Sequence, residues 1–457
     1  MALYKREYGA EQPCWPLFGG WFKVRLPFVH YSWSWQDFLQ GAVLAATGLA
    51  AIPVLQTCGI PYEVCVLMVF ISSCCYLVHA QLGDPVVPGW ITPGIPLIVA
   101  YLGTLPMEAR IDHIIATQLT IAVIFFMFGI TGIAGKIMNW LPASIKAGIL
   151  MGAGFAAIMG EFAAKGRFHK YPISITVAVL VAFFILYARG AQRLKKNNKF
   201  FAKIATLGIV PSIVVAAIAG FFVQEVAWGP IKWGFSFSIF EFRTLINDWS
   251  VWGRGLPDWS IFVKTFSLAV ALYIIAYGDL ITGYELVKEA DEVRQDEKID
   301  INANRVHCLC GIRNTVLGTT SPYAVFHGPI WGGAHVATME RYKLGRQAMD
   351  SIFDGAGFFY LGATFVLCLA PFVAILSPML PVALSLTMIM QGWVCGQVAV
   401  AMVKNKTDLG IMTVMGGVIA VMGASYGLIT GFVLYFLVSL GSPNPIKKQL
   451  EADAGDA

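Results

Sequence analysis

Apolar runs of about twenty residues recur along the chain, separated by short polar or charged joints. Most are long enough to cross ~30 Å of hydrocarbon as a helix, and the shorter ones read as short spans. The runs occupy residues 37–57, 62–80, 111–133, 141–161, 174–187, 204–223, 261–284, 304–319, 352–376 and 380–403. Residues 408–440 divide at Gly423 into two short helices. Small residues sit at helical spacing within the runs, as Gly41-Ala45-Gly48, Gly148-Gly152-Gly160 and Gly423-Gly427-Gly431. Such spacing predicts faces on which another helix packs closely.

Two stretches break this pattern. In residues 85–103, PVVPGWITPGIPLIVAYLG, four prolines and several glycines exclude one continuous helix. The spacing predicts an extended piece over 86–91, then a half-helix starting near Pro93, where proline suits a first turn. Residues 321–336 form the second break, with a half-helix opened by Gly328-Pro329. A broken segment persists at membrane depth only where protein buries it or where it lines a cavity. The breaks recur at similar offsets, TPGIPLIVA (92–100) against HGPIWGGAH (327–335), and Leu-Pro opens both 141–159 and 380–398. The pattern predicts an all-α polytopic membrane protein. About fourteen membrane segments form a seven-plus-seven inverted repeat with two short strand/half-helix broken segments.

Composition narrows the class without changing the picture. Hydrophobic residues make up 57% of 457 positions and charged residues 13%, against ~25% charged in a soluble domain. Mean hydropathy is +0.68. The first thirty residues, with Lys5, Arg6, Lys23 and Arg25, lack the pattern of a cleavable signal peptide. The nine cysteines lie mostly in apolar runs and behave as small hydrophobes. Cys308 and Cys310, two apart on a helix, do not face each other, so no metal site is expected. With a cytoplasmic N-terminus, basic residues around Arg193, in 285–300, in 341–346 and at Lys404, Lys406, Lys447 and Lys448 fall inside. Lys165, Arg167 and Lys170 are the exception to that count. No basic stripe points to nucleic acid. No HExxH, Gly-x-Ser-x-Gly or Walker loop proposes a reaction, so no enzyme activity and no cofactor are expected.

The candidate chemistry clusters between Tyr277 and Ala337. Asp279 ends an apolar helix before a charged connector, 285–300. It reads either as an ion-coupling group or as a helix-end carboxylate in water. Arg305 and Arg313 share a helix face. Arg305 is expected to pair with connector acids, whereas Arg313, deeper, is the candidate for coupling. His327 is placed at a half-helix start, as a proton carrier or as a ring satisfied by a carbonyl. Thr92, Thr320, Ser321 and Tyr323 flank the two half-helix starts and supply hydroxyls, for a ligand or as caps of freed backbone groups. The expected substrate site thus comprises Thr92, Pro93, Gly94, Ile95, Thr320, Ser321, Tyr323, His327 and Gly328, with Asp279 and Arg313 for ion coupling. Two helix N-termini facing one cavity favour an anion or the electronegative edge of a heterocycle. The tryptophans of 225–260 read as interface anchors.

YGDLITG (277–283) and NANRVHCLCGIRNTVLGTTSP (302–322), with the two broken segments, carry a resemblance to the nucleobase–ascorbate (xanthine/uracil) permeases and the related sulfate-permease-like anion transporters. The resemblance covers nearly the whole chain. It implies a cytoplasmic N-terminal segment (1–36), a core domain from 37–133 and 261–376, and a gate domain from 141–223 and 380–440. Residues 225–260 would be an inter-repeat loop and 441–457 a cytoplasmic tail. The function implied is secondary transport of a small polar or anionic solute by an elevator movement of core against gate. A coupling proton or sodium, homodimer formation and a bacterial inner-membrane location go with it, and an anion channel on the same fold is the alternative. The chain departs from the xanthine/uracil permeases in having no acid in the middle of the eighth segment and His327 in the tenth.

Overall fold

The computed structural model of the chain describes residues 3–164, 166–205 and 209–440, so the 441–457 tail, Lys165, Lys447 and Lys448 lie outside the described residues. A short hairpin, β1 (Trp15–Leu17) and β2 (Phe22–Val24), precedes the helices. The first half contains α1 (Trp35–Gln56), α2 (Tyr62–Gln81), strand β3 (Gly89–Trp90), α3 (Thr92–Gly103), α4 (Met107–Thr131), α5 (Ala143–Phe162), α6 (Pro172–Tyr187) and α7 (Val210–Phe222). The second half contains α8 (Trp259–Val293), α9 (Ala303–Thr320), β4 (His327–Gly328), α10 (Gly332–Lys343), α11 (Ile352–Leu367), α12 (Leu380–Met402), α13 (Lys406–Met422) and α14 (Ala424–Ser439). Among the described residues, six helices are long and apolar enough to span a membrane, with a seventh if a bent pair at 172–197 counts as one. This is an integral membrane protein.

The pattern-based expectation needs four corrections. The β1–β2 hairpin was not expected, because its aromatic, irregular sequence carries no clean alternation. Helix α8 runs on through Val293, so most of the supposed connector is helical and Asp279 lies within the helix rather than at its end. A charged, good helix-forming sequence such as ELVKEADEV continues a helix into water without a break. Third, the second half-helix starts at Gly332, after Gly328-Pro329. Last, the break after α11 falls at Cys368–Leu369, and helix resumes at Ala370 and continues to Met402. The expected boundary at 376–380 therefore shifts to 368–370. The Phe235 bridge to Leu369 satisfies the freed groups, with the Ser236 N–H on the Cys368 carbonyl and the Ala370 N–H on the Gly234 carbonyl, each 2.9 Å.

The helices pack in two groups. In one, α1 lies against α11, α2 against α11, α4 against α8 and α9, and α8 against α10. In the other, α5 lies against α12 and α13, α6 against α7 and α12, and α13 against α14. Close approach depends on glycine. A Cβ at Gly41 would run into the Phe359 backbone, and one at Gly152 would lie 2.6 Å from Ile419. Strands β3 and β4 pair antiparallel, Gly89 opposite Gly328 and Trp90 opposite His327. The Ile91 N–H donates to the Phe326 carbonyl at 2.9 Å and the Trp331 N–H to the Val87 carbonyl at 2.8 Å. Both glycines are needed there, since a Cβ at Gly89 or Gly328 would sit 2.7 or 2.8 Å from the opposite chain.

The N-terminal segment docks on the face that carries the 294–300 joint and the α10–α11 loop. Arg6 donates to Asp296 (3.0 Å) and to the Asp350 carbonyl (2.8 Å), and Lys23 and Arg305 both reach Asp300 at 2.6 Å. The hydrogen bond from Arg294 holds the Asp296 carboxyl below the usual range, against a smaller upward push from burial, and Arg6 adds to it. At Asp300 burial pushes upward, but the bonds from Lys23 and Arg305 outweigh it and the net shift is downward. A folded value below the unfolded one stabilises docking above about pH 3.9 and is lost as pH falls through the lowered values. Residues 3–31 are therefore expected to resist pepsin at about pH 4 and to be cleaved progressively below it. Resistance unchanged at about pH 2 would show that these carboxylates do not hold the segment.

Candidate functional site

A cavity of about 910 Å³ lies between the two helix groups. Each strand of the β3–β4 pair leads within a few residues into a half-helix, so the crossing brings the starts of α3 and α10 to one place. Thr92 and Pro93 of α3 and Gly332, Gly333 and Ala334 of α10 line the cavity. The first N–H groups of a helix have no partner inside it, and its dipole is positive at that end. Aromatic rings surround the same space: Tyr76 of α2, Trp90, Tyr277 of α8, Tyr323, Trp331 and Tyr360 of α11. From the other group come Lys146 of α5 and a stripe on α12, Thr387, Gln391, Cys395, Val398 and Met402.

Of the residues expected from sequence, Thr92, Pro93, Tyr323 and Asp279 line this cavity and the remaining seven do not. Asp279 is partly buried and makes no hydrogen bond or ion pair among the described residues. Thr92 makes a long bond, 3.4 Å, to the Trp90 carbonyl. Thr320 bonds back to the Val316 carbonyl of its own helix at 2.5 Å, and Ser321 and Ile95 are buried away from the cavity. Gly94 and Gly328 face protein, not ligand: a Cβ at Gly94 would run into Leu272, and one at Gly328 would meet Ile91 at 2.8 Å.

His327 and Arg313 stand one layer behind the wall. His327 Nε2 lies 2.8 Å from the Ser72 hydroxyl, and its ring stacks on Tyr76 at 3.9 Å. Arg313 donates to the Gly328 carbonyl at 2.9 Å and lies 5.0 Å over the Tyr76 ring. Asn314 braces the same strand, its Nδ2 donating to the His327 carbonyl at 2.8 Å. Arg305 is paired with Asp300, as expected, and also donates to the carbonyls of Trp21 and Gly83.

Sequence reading missed Gly332, Gly333, Tyr76, Trp90, Trp331 and the α12 stripe. The Gly-Gly pair was within the quoted motif, but the preceding Gly-Pro drew the helix start to itself. The α12 stripe was visible as Thr387-Gln391-Cys395 at intervals of four, the spacing of one helix face. It is apolar enough to read as ordinary span.

No protein-family model matches the chain. The fold is shared with solved anion transporters. Murine Slc26a9 in the inward-facing state has a TM-score of 0.55 and 15% identity, over 89% of this chain and 68% of that one. The transmembrane domain of the cyanobacterium bicarbonate transporter BicA has a TM-score of 0.50 and 13% identity, over 88% and 99%. Among curated proteins, the benzoate membrane transport protein of Acinetobacter baylyi is 24% identical over 205 residues. That match spans 45% of this chain and 43% of the relative, less than half of its length. The resemblance read from the motifs thus holds at the level of the fold, that of the SLC26/SulP anion transporters.

Proposed function

We propose that the chain is a membrane transporter of a small organic anion, with aromatic carboxylates the first candidates. The observation that carries this reading is the cavity between two separately packed helix groups, into which two helix starts converge. A carboxylate is bound by the free N–H groups of Thr92 and of Gly332–Ala334, and its ring lies among Tyr76, Trp90, Tyr323 and Trp331. The likeness to a benzoate transport protein supports the aromatic class, and that to a bicarbonate transporter supports an anion.

The packing favours a core of α1–α4 and α8–α11 that slides against a gate of α5–α7 and α12–α14. On this reading fourteen segments form the seven-plus-seven inverted repeat, with the β3–β4 crossing at its centre. The N-terminal segment and the joints it touches face the cytoplasm. Asp279 is the coupling group. Like charges about 4 Å apart repel by about 4 kcal/mol at an effective dielectric of 20, so a proton or sodium must neutralise Asp279 before an anion settles beside it.

The test is uptake by reconstituted vesicles of benzoate, bicarbonate, sulfate and uracil under an imposed proton or sodium gradient. Saturable, gradient-driven accumulation of benzoate is expected. Failure to move any of the anions under either gradient removes the reading.

A further inference from the structure

Helix α2 presents Ser72, Tyr76 and His79 at intervals of three and four, on one face. Ser72 and Tyr76 reach the cavity, and His79 lies one turn further in. There, Nε2 of His79 is 2.7 Å from Oδ2 of Asp84, and both side chains are 0% exposed. His79 Nδ1 and Asp84 Oδ1 make no hydrogen bond of ordinary geometry among the described residues, although the Val86 N–H faces the carboxylate. This pair has no part in the fold's ion network on the N-terminal face, and the binding mode above does not use it.

The groups around the pair can be counted. From α9 the cations Arg305 and Arg313 face Asp84. Cys310 of α9 and Tyr284 of α8 face it as neutral groups, and His327 of β4 faces His79. Arg305 is paired with Asp300 at 2.6 Å, an acid it shares with Lys23, which also holds Glu11 at 2.6 Å. Arg313 has no acid within ion-pair distance among the described residues, so Asp84 is the charge that balances it across this cluster. With Asp84 ionised and His79 neutral, the sum over Arg313 and the pair is zero. One proton added to the pair leaves Arg313 unbalanced. Its guanidinium lies over the Tyr76 ring, which is also part of the cavity wall. In so dry a setting an unbalanced cation is stabilised by any anion that arrives nearby.

We infer that the His79–Asp84 pair is a proton-binding site whose occupancy sets the charge Arg313 presents to the cavity, so that proton and anion bind together. The step is the addition of one solvent proton, shared between imidazole and carboxylate, with no other bond made or broken. The inference rests on the anion reading of the cavity, and reciprocity requires that the bound anion raise the pair's proton affinity by the same factor.

Two measurements test it. In substrate-free protein, infrared difference spectra between about pH 5 and about pH 9 should contain imidazole or carboxyl bands that vanish in both Asp84→Asn and His79→Gln. His79→Gln retains a hydrogen-bond donor toward Asp84, so it guards against a folding failure in the other variant. Parent spectra that superimpose on both variants overturn the proton site, whatever the substrate is. Benzoate binding is then measured in the Asp279→Asn background, where the cavity carboxylate contributes nothing. Affinity should fall about tenfold over that pH interval, and adding Asp84→Asn should flatten it. An affinity already flat in the Asp279→Asn protein overturns the linkage. Should the parent bind no benzoate at any pH, the substrate class proposed above fails, and the infrared bands alone decide the site.

Discussion

Gly333→Val should fold, insert and bind substrate at least tenfold more weakly than the parent, about 1.4 kcal/mol. A Cβ at Gly333 meets nothing within 4 Å, and the position lies in the first turn of α10 on the cavity wall. The added isopropyl group therefore occupies ligand space rather than core. Valine replaces a residue with lower helix propensity, so helix stability does not suffer. Gly94→Val and Gly328→Val should behave differently. Their side chains collide with Leu272 and Ile91, and overpacking of that kind costs about 1–3 kcal/mol of stability. Thermal unfolding and benzoate affinity measured on all three variants separate the cases. If Gly333→Val binds as tightly as the parent, the α10 start is not part of the site.

Asp279→Asn should retain expression and exchange while losing gradient-driven accumulation altogether. The carboxylate faces the cavity with no hydrogen bond or ion pair among the described residues. Its charge is therefore left for a mobile cation or proton. Asparagine has nearly the same shape and removes the charge, so binding persists where coupling does not. The comparison is counterflow against net uptake in the same vesicles. Concentrative uptake at parental level in the variant would assign coupling elsewhere and leave Asp279 as a wall residue.

How far the fold could be read from the sequence depended on how locally each element was encoded. Long apolar runs, the Gly423 break and the two Pro-Gly interruptions reflect solvation and backbone constraints that act within a few residues. They appeared near their expected positions, and Gly423 has φ +91°. The pairing of β3 with β4 joins residues some 240 positions apart through two-residue strands, too short to leave an alternation pattern. The site shows the same division. Thr92, Pro93 and Tyr323 were found because the breaks announced them. Tyr76, Trp331 and the α12 stripe reach the cavity only through packing between distant helices, and a tyrosine in an apolar run looks like core. Arg313 and His327 were singled out because polar groups in spans are rare. That rarity does not distinguish a group that meets the ligand from one that braces the strand behind it.

The interlacing of the two halves has a consequence for biogenesis. Each helix group draws on both halves: α1 packs on α11, α4 on α9, and α5 on α12 and α13. At Gly148 the neighbour is Met415, and at Gly152 it is Ile419, both on α13. While the ribosome is still translating the second half, the helices of the first half sit in the bilayer with these grooves filled only by lipid. The first group cannot close before α11 is inserted and the second cannot close before α13, so assembly waits for the second half rather than proceeding half by half. Chains cut short before α11 would leave α1 and α2 without their main partner, and chains cut before α13 would leave α5 half-packed and open to membrane quality control.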